Sequence, residues 1–61
     1  MKTISVKFIG SKSRKNYTFL TDRNVVPGSV INAGRRYGAV VVTYVRNGDH
    51  SAEFPFKLVT I

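Results

Sequence analysis

Thr3-Ile4-Ser5-Val6-Lys7-Phe8, near the start of a chain of 61 residues, sets polar against apolar side chains in strict alternation. A period of two places Ile4, Val6 and Phe8 on one side of an extended backbone and Thr3, Ser5 and Lys7 on the other. The segment from about residue 2 to 9 is therefore predicted as a strand with one face on a core and one in water. The same alternation, starting at Met1-Lys2, argues against an export signal, which needs an unbroken apolar stretch. Nowhere do apolar residues approach the roughly 18 consecutive positions of a membrane helix. A cytoplasmic setting without a membrane partner is expected.

Beyond this strand, Gly10-Ser11-Lys12-Ser13-Arg14-Lys15-Asn16 is small, polar and basic, and reads as a loop. Tyr17-Thr18-Phe19-Leu20 is aromatic and β-branched, a short second strand that stops at Asp22-Arg23-Asn24. Val26-Pro27-Gly28-Ser29 suits a type II turn, with Pro fixing φ at the second position and Gly supplying positive φ at the third. Val30-Ile31 then forms a brief third strand, and Ala33-Gly34-Arg35-Arg36 a second basic loop. The longest strand is predicted from Tyr37 to Arg46, with Gly38 allowing a bend near its start. Asn47-Gly48 suits a type I′ hairpin. From it, Glu53 to Ile61 is expected to return as a last strand with Phe54, Phe56 and Leu58 on one face. Pro55 cannot donate to a ladder and puts its part of that strand at an edge or bulge.

No segment of useful length has helical periodicity, and there are no repeats. Five short strands point to an all-β domain over residues 1–61, a small five-stranded antiparallel SH3-like barrel with an OB-like barrel as second choice. A chain this short buries only about 60% of the surface it exposes when unfolded. Cysteine is absent, so neither a disulfide nor a thiolate zinc site can staple the core. Closure of the sheet or oligomerisation must stabilise it instead.

Catalysis requires paired or triad-forming groups, and the inventory is Asp22, Asp49, His50, Glu53 and scattered Ser and Thr. A chain of this size has little room for a deep cleft, and no enzyme, metal or cofactor is expected. Asp49, His50 and Glu53 flank a predicted hairpin, where polar residues belong in any case. Gly34-Arg35-Arg36-Tyr37-Gly38 lacks the spacing and the helix of a phosphate-binding glycine loop.

Charge is more informative. Ten Lys and Arg face three acids, a net charge of +7, yet 43% of residues are hydrophobic, the composition of a folded domain rather than a basic tail. Such a field concentrates anionic partners, with nucleic acid leading and DNA favoured. Basic residues interleave with rings in two places: Lys12, Arg14, Lys15 with Asn16 and Tyr17, and Arg35, Arg36 with Tyr37. Cations neutralise phosphates, while exposed rings offer bases a stacking platform. In a five-strand barrel both loops can approach one rim.

Ala39-Val40-Val41-Val42 through Tyr44-Val45 is apolar on both faces. Either Val40, Val42 and Tyr44 or Val41 and Val45 would then point outward, unless a strongly coiled strand buries both sets. An outward stripe would serve a homodimer or a protein partner. The alternative reading is accordingly a protein-interaction module or phage-encoded inhibitor that docks on an acidic host protein.

From Thr3 to about Val45 the chain resembles the small N-terminal DNA-binding domain of the primosomal helicase PriA, and also short barrel proteins of phages and prophages. The shared features are the alternating first strand, the aromatic second strand, a turn ending in Gly28, and Gly34-Arg35-Arg36 leading to Gly38-Ala39-Val40-Val41. The PriA domain binds the 3′ end of a DNA strand through a Phe-Asp-Tyr motif whose Asp contacts the terminal hydroxyl. Here that place reads Lys15-Asn16-Tyr17: Tyr17 matches, Asn16 replaces the acid, and Lys15 replaces Phe. An amide carries two donors beside its acceptor and no charge. The resemblance thus implies binding to single-stranded or end-containing DNA in a phage or mobile-element setting, with contacts along the phosphate backbone rather than capture of a terminus.

Overall fold

A computed structural model of the chain describes residues 1–10, 12 and 15–61. Four strands, β1 (Lys2–Phe8), β2 (Tyr17–Thr21), β3 (Val30–Asn32) and β4 (Ala39–Asn47), form one antiparallel sheet in the order β2-β1-β4-β3, followed by a 3₁₀ turn at Ser51–Glu53. The alternating first strand is central in this order, with β2 and β4 on either side. Its apolar face forms the middle of the core: Ile4 and Val6 are fully buried, with Phe19, Val25, Ala33, Val40 and Val42 around them. Phe8, Ile31, Tyr37, Val45 and Ile61 pack against the margin.

A β-bulge settles which valines of β4 point inward. Ser5 faces Tyr44 and Val6 faces Val42, so Thr43 is an extra residue between two paired ones. An inserted residue bends its strand and increases the local twist. Val40 and Val42 therefore enter the core and Val45 packs at its edge beyond the bulge, while Tyr44 stays 56% exposed. Val40 and Val42, expected as possible members of an outward stripe, are structural. With β3, the outer face carries Tyr44, the half-buried Val41 and the exposed Val30.

The fold is all-β, but its sheet has four strands and does not close. The returning fifth strand is absent because Thr3 captures the chain after β4. The Thr3 hydroxyl donates to the Gly48 carbonyl at 2.9 Å and accepts the His50 N–H at 2.9 Å, while the Gly48 N–H donates to the Met1 carbonyl at 2.9 Å. A type I′ hairpin needs positive φ at both central residues. Gly48 has it, at 94°, but among the described residues only glycines do, so Asn47 ends β4 without making that turn. Asp49 Oδ1 then accepts the Ser51 N–H at 2.8 Å and starts the 3₁₀ turn.

Past that turn, Leu58 is buried whereas Phe56 is 57% exposed, so Phe54, Phe56 and Leu58 do not share an inward face. The chain ends alongside the outer edge of β2. The Leu20 N–H donates to the Val59 carbonyl at 2.9 Å, the Ile61 N–H donates to the Leu20 carbonyl at 2.8 Å, and the Thr21 hydroxyl reaches the Ile61 carbonyl at 2.9 Å. This contact is an isolated parallel bridge between Leu20 and Thr60.

The Val26-Pro27-Gly28-Ser29 turn forms as expected, with Gly28 at φ 96° and the Ser29 N–H donating to the Val26 carbonyl at 3.0 Å. Tyr37 lies in the turn before β4 rather than in the strand. Among the described residues no helix is long and apolar enough to cross a membrane.

Candidate nucleic-acid interface

Strand pairing builds the first half of the site. The β1–β2 register sets Tyr17 opposite Val6, and Phe8 follows two residues later on the same face. The two rings meet edge-on with centroids 4.8 Å apart. The second half comes from the loop between β3 and β4. Its ends are tied where the Ala33 N–H donates to the Gly38 carbonyl at 2.8 Å and the Gly38 N–H to the Gly34 carbonyl at 2.7 Å. Ala33 is buried and anchors the loop to the core. This closure holds Tyr37 over the end of the sheet, stacked on Phe8 at 6.1 Å and edge-on to Phe19 at 5.2 Å. Such offset and edge-on contacts contribute about 0.5–1.5 kcal/mol each beyond area burial.

Between them Tyr17 and Tyr37 line one groove of ≈ 440 Å³. Phe8, Phe19, Phe56, Asn16, Thr18 and Lys57 line it as well. Tyr17 is 39% exposed and Tyr37 half-buried. The Arg36 guanidinium lies 6.0 Å from the Tyr37 ring centroid, at the outer limit of a cation–π contact. Asn16 Oδ1 is 2.9 Å from the hydroxyl of Thr43, the bulge residue, whose proton it shares with the Ser5 carbonyl at 3.2 Å. The bulge thus steadies the residue that precedes Tyr17.

The structure brings Asn16, Tyr17 and Tyr37 to this groove, while Arg36 does not line it and comes near only through the Tyr37 ring. Lys12 and Lys15 are exposed in the loop leading to it, and Arg14 lies outside the described residues. Arg35 parts from its neighbour and lines a different concavity with Arg23. The valines proposed as a protein face, Val40 and Val42, are in the core, which leaves Tyr44 as the exposed member of that set. Phe8, Phe56 and Lys57 escaped the sequence reading as site residues. Phe8 had a visible signal, since it ends the alternating strand beside the basic loop. Phe56 and Lys57 had none, because they reach the groove only through the course of the C-terminal segment.

The carboxylates sit at the opposite end of the sheet. Asp22 follows the end of β2, 3.5 Å from the N-terminal ammonium, and Asp49 and Glu53 follow the end of β4. Both of those strand ends pair with the start of β1. Glu53 accepts two hydrogen bonds from Arg46 at 3.2 Å each and lies 2.9 Å from His50 Nδ1. Arg46 first, then His50, holds the Glu53 carboxyl below its ordinary pKa. Ser51, through its hydroxyl and its N–H, does the same for Asp49. Among the described residues no group of three or more acids, histidines or cysteines is placed to hold a metal ion. Arg36 and Lys57 have no carboxylate partner among the described residues. Lys57, the charged residue that lines the groove, thus keeps its charge unpaired by a carboxylate among the described residues.

No protein-family model, no curated protein and no solved structure matches this chain.

Proposed function

We propose that the chain is a non-enzymatic binder of single-stranded nucleic acid, with DNA favoured, and that the Tyr17–Tyr37 groove takes unstacked bases. The observation that carries this reading is the convergence on one groove, lined also by Lys57, of two tyrosines, Tyr17 directly after one basic loop and Tyr37 within the other beside Arg36. A base stacked on an aromatic side chain contributes roughly 1–3 kcal/mol whatever its identity. The surrounding cations displace counterions from the phosphates, which makes affinity depend on salt. With Asn16 Oδ1 engaged by Thr43, the amide offers its hydrogens, which suit a phosphate or base oxygen better than the hydrogen of a terminal hydroxyl. The SH3-like reading enters here in altered form: the C-terminal segment beside β2 stands where a fifth strand would, and it supplies Phe56 and Lys57 to the groove.

The test is a fluorescence-anisotropy titration of labelled single-stranded DNA, duplex DNA and RNA at several salt concentrations, with native protein, Tyr17→Ala, Tyr37→Ala and Arg36→Ala. Native protein binds single strands best, with affinity falling as salt rises. Each tyrosine variant loses about tenfold or more, and Arg36→Ala flattens the salt dependence by about one phosphate's worth. No binding at low salt, or tyrosine variants that bind as native protein does, would sink the reading.

A further inference from the structure

A second concavity shares no lining residue with the tyrosine groove. It lies where the chain leaving β2 meets the end of β3, and Arg23, Asn32, Gly34, Arg35 and Gly38 line it. Its backbone is preorganised. Gly34 and Gly38 hold φ at 96° and 71°, in the left-handed region that favours glycine, and apart from the adjoining residues of the chain no heavy atom lies within 4 Å of where a Cβ would sit on either. A ligand can therefore approach the main chain closely at both positions. The two hydrogen bonds that close this loop on Ala33 and Gly38 fix its shape. On the facing side, the Arg23 N–H donates to the Thr21 hydroxyl at 3.1 Å, and Lys2 Nζ lies 3.4 Å from the Arg23 carbonyl.

The side chains that line the concavity all donate. Asn32 Oδ1 already accepts the Gly34 N–H at 2.8 Å, so the carboxamide presents its hydrogens. Arg23 and Arg35 are exposed, with no carboxylate partner among the described residues, and no acid lines the depression. Two guanidinium forks on a glycine floor match the oxygens of a dianionic phosphate, with two parallel bonds available from each fork. We infer that this concavity is a phosphate-binding site, which takes a terminal phosphate group of a nucleic-acid strand or a free phosphate of the same chemistry. The site does not depend on the tyrosine groove and stands if base stacking there fails.

The experiment is a titration of isotope-labelled protein with sodium pyrophosphate, followed by NMR at the backbone amides and the arginine Nε–H groups, with sodium chloride at matched ionic strength as control. Saturable shifts at Gly34, Gly38, Arg23 and Arg35, with Tyr17 and Phe19 of the tyrosine groove unmoved, are expected. Arg23→Lys with Arg35→Lys keeps both charges but removes both forks, and weakens pyrophosphate by about tenfold. In a second arm, oligonucleotides with and without a terminal phosphate are compared by anisotropy. About tenfold tighter binding of the phosphorylated strand, lost in the double variant, identifies the strand terminus as the source of the phosphate. Equal affinities beside an intact pyrophosphate response identify a free phosphate. Shifts spread evenly over Lys7, Lys12 and Lys57, or a double-lysine variant with native affinity, would overturn the site. Failure of the base-stacking reading is seen separately, as tyrosine variants that bind strands normally.

Discussion

Thr3 joins more of the chain than its size suggests. It is 4% exposed, on the face of β1 opposite the main core, and its hydroxyl accepts the His50 N–H while donating to the Gly48 carbonyl. Valine at this position keeps the shape and β-propensity but strands both partners. Thr3→Val is expected to lower stability by about 1–3 kcal/mol, read in urea as a shifted midpoint at constant slope, whereas Thr3→Ser keeps most of it. Equal stability of the valine and serine variants would deny the hydroxyl that role.

Glu53 gives the complementary prediction. Its folded pKa is depressed, so its contribution is present above the ordinary value of 4.5 and is lost as pH falls through the lower folded value. Thermal midpoints of the native protein and Glu53→Gln should therefore differ near neutral pH and converge in acid. A constant gap at every pH would contradict the Arg46–Glu53–His50 cluster as its source.

At the scale of elements, the sequence revealed the strands whose signals are local. Alternation in Thr3–Phe8, the aromatic run at Tyr17 and the Pro27-Gly28 turn each carry their own period or dihedral preference, and each forms where expected. What local pattern did not show was the partner. Asn47-Gly48 has hairpin chemistry, yet the chain turns instead around a threonine far away in sequence. The valine run left two parities open because a bulge at Thr43, invisible without the register of β1, decides between them. The tyrosines were legible as ring-and-cation pairs, while the split between Arg35 and Arg36 depends on how the loop closes.

The C-terminal segment has few local hydrogen bonds but covers Leu20 and contributes Leu58 and Ile61 to buried surface. Losing one buried leucine costs about 2–5 kcal/mol, against a total stability of roughly 3–9 kcal/mol for a chain of this size. Deleting residues 58–61 should therefore abolish the dispersed amide spectrum and cooperative unfolding. A truncated chain with native dispersion would show that the four-stranded sheet stands alone.

At the scale of the whole molecule, the sheet sorts charge along its length. The acids occupy the end where β1 begins, offset there by Lys2, Arg23, Arg46 and the N-terminus, while Lys7, Lys12, Lys15, Arg35 and Arg36 gather toward the end where β1 finishes. Two variants with the same net charge therefore behave differently. Arg35→Gln with Arg36→Gln should elute from a cation exchanger at markedly lower salt than Lys2→Gln with Arg46→Gln, although each loses two charges. Coincident elution would mean that charge acts only through its sum.

That sorting also gives the molecule a permanent electric dipole whose positive pole carries the tyrosine groove. In the field of a long polyanion, the torque on such a dipole turns the groove forward before any contact is made. For the strand binding proposed above, productive encounters would then outnumber random ones, and salt would act first on the rate of arrival by removing the alignment that precedes it.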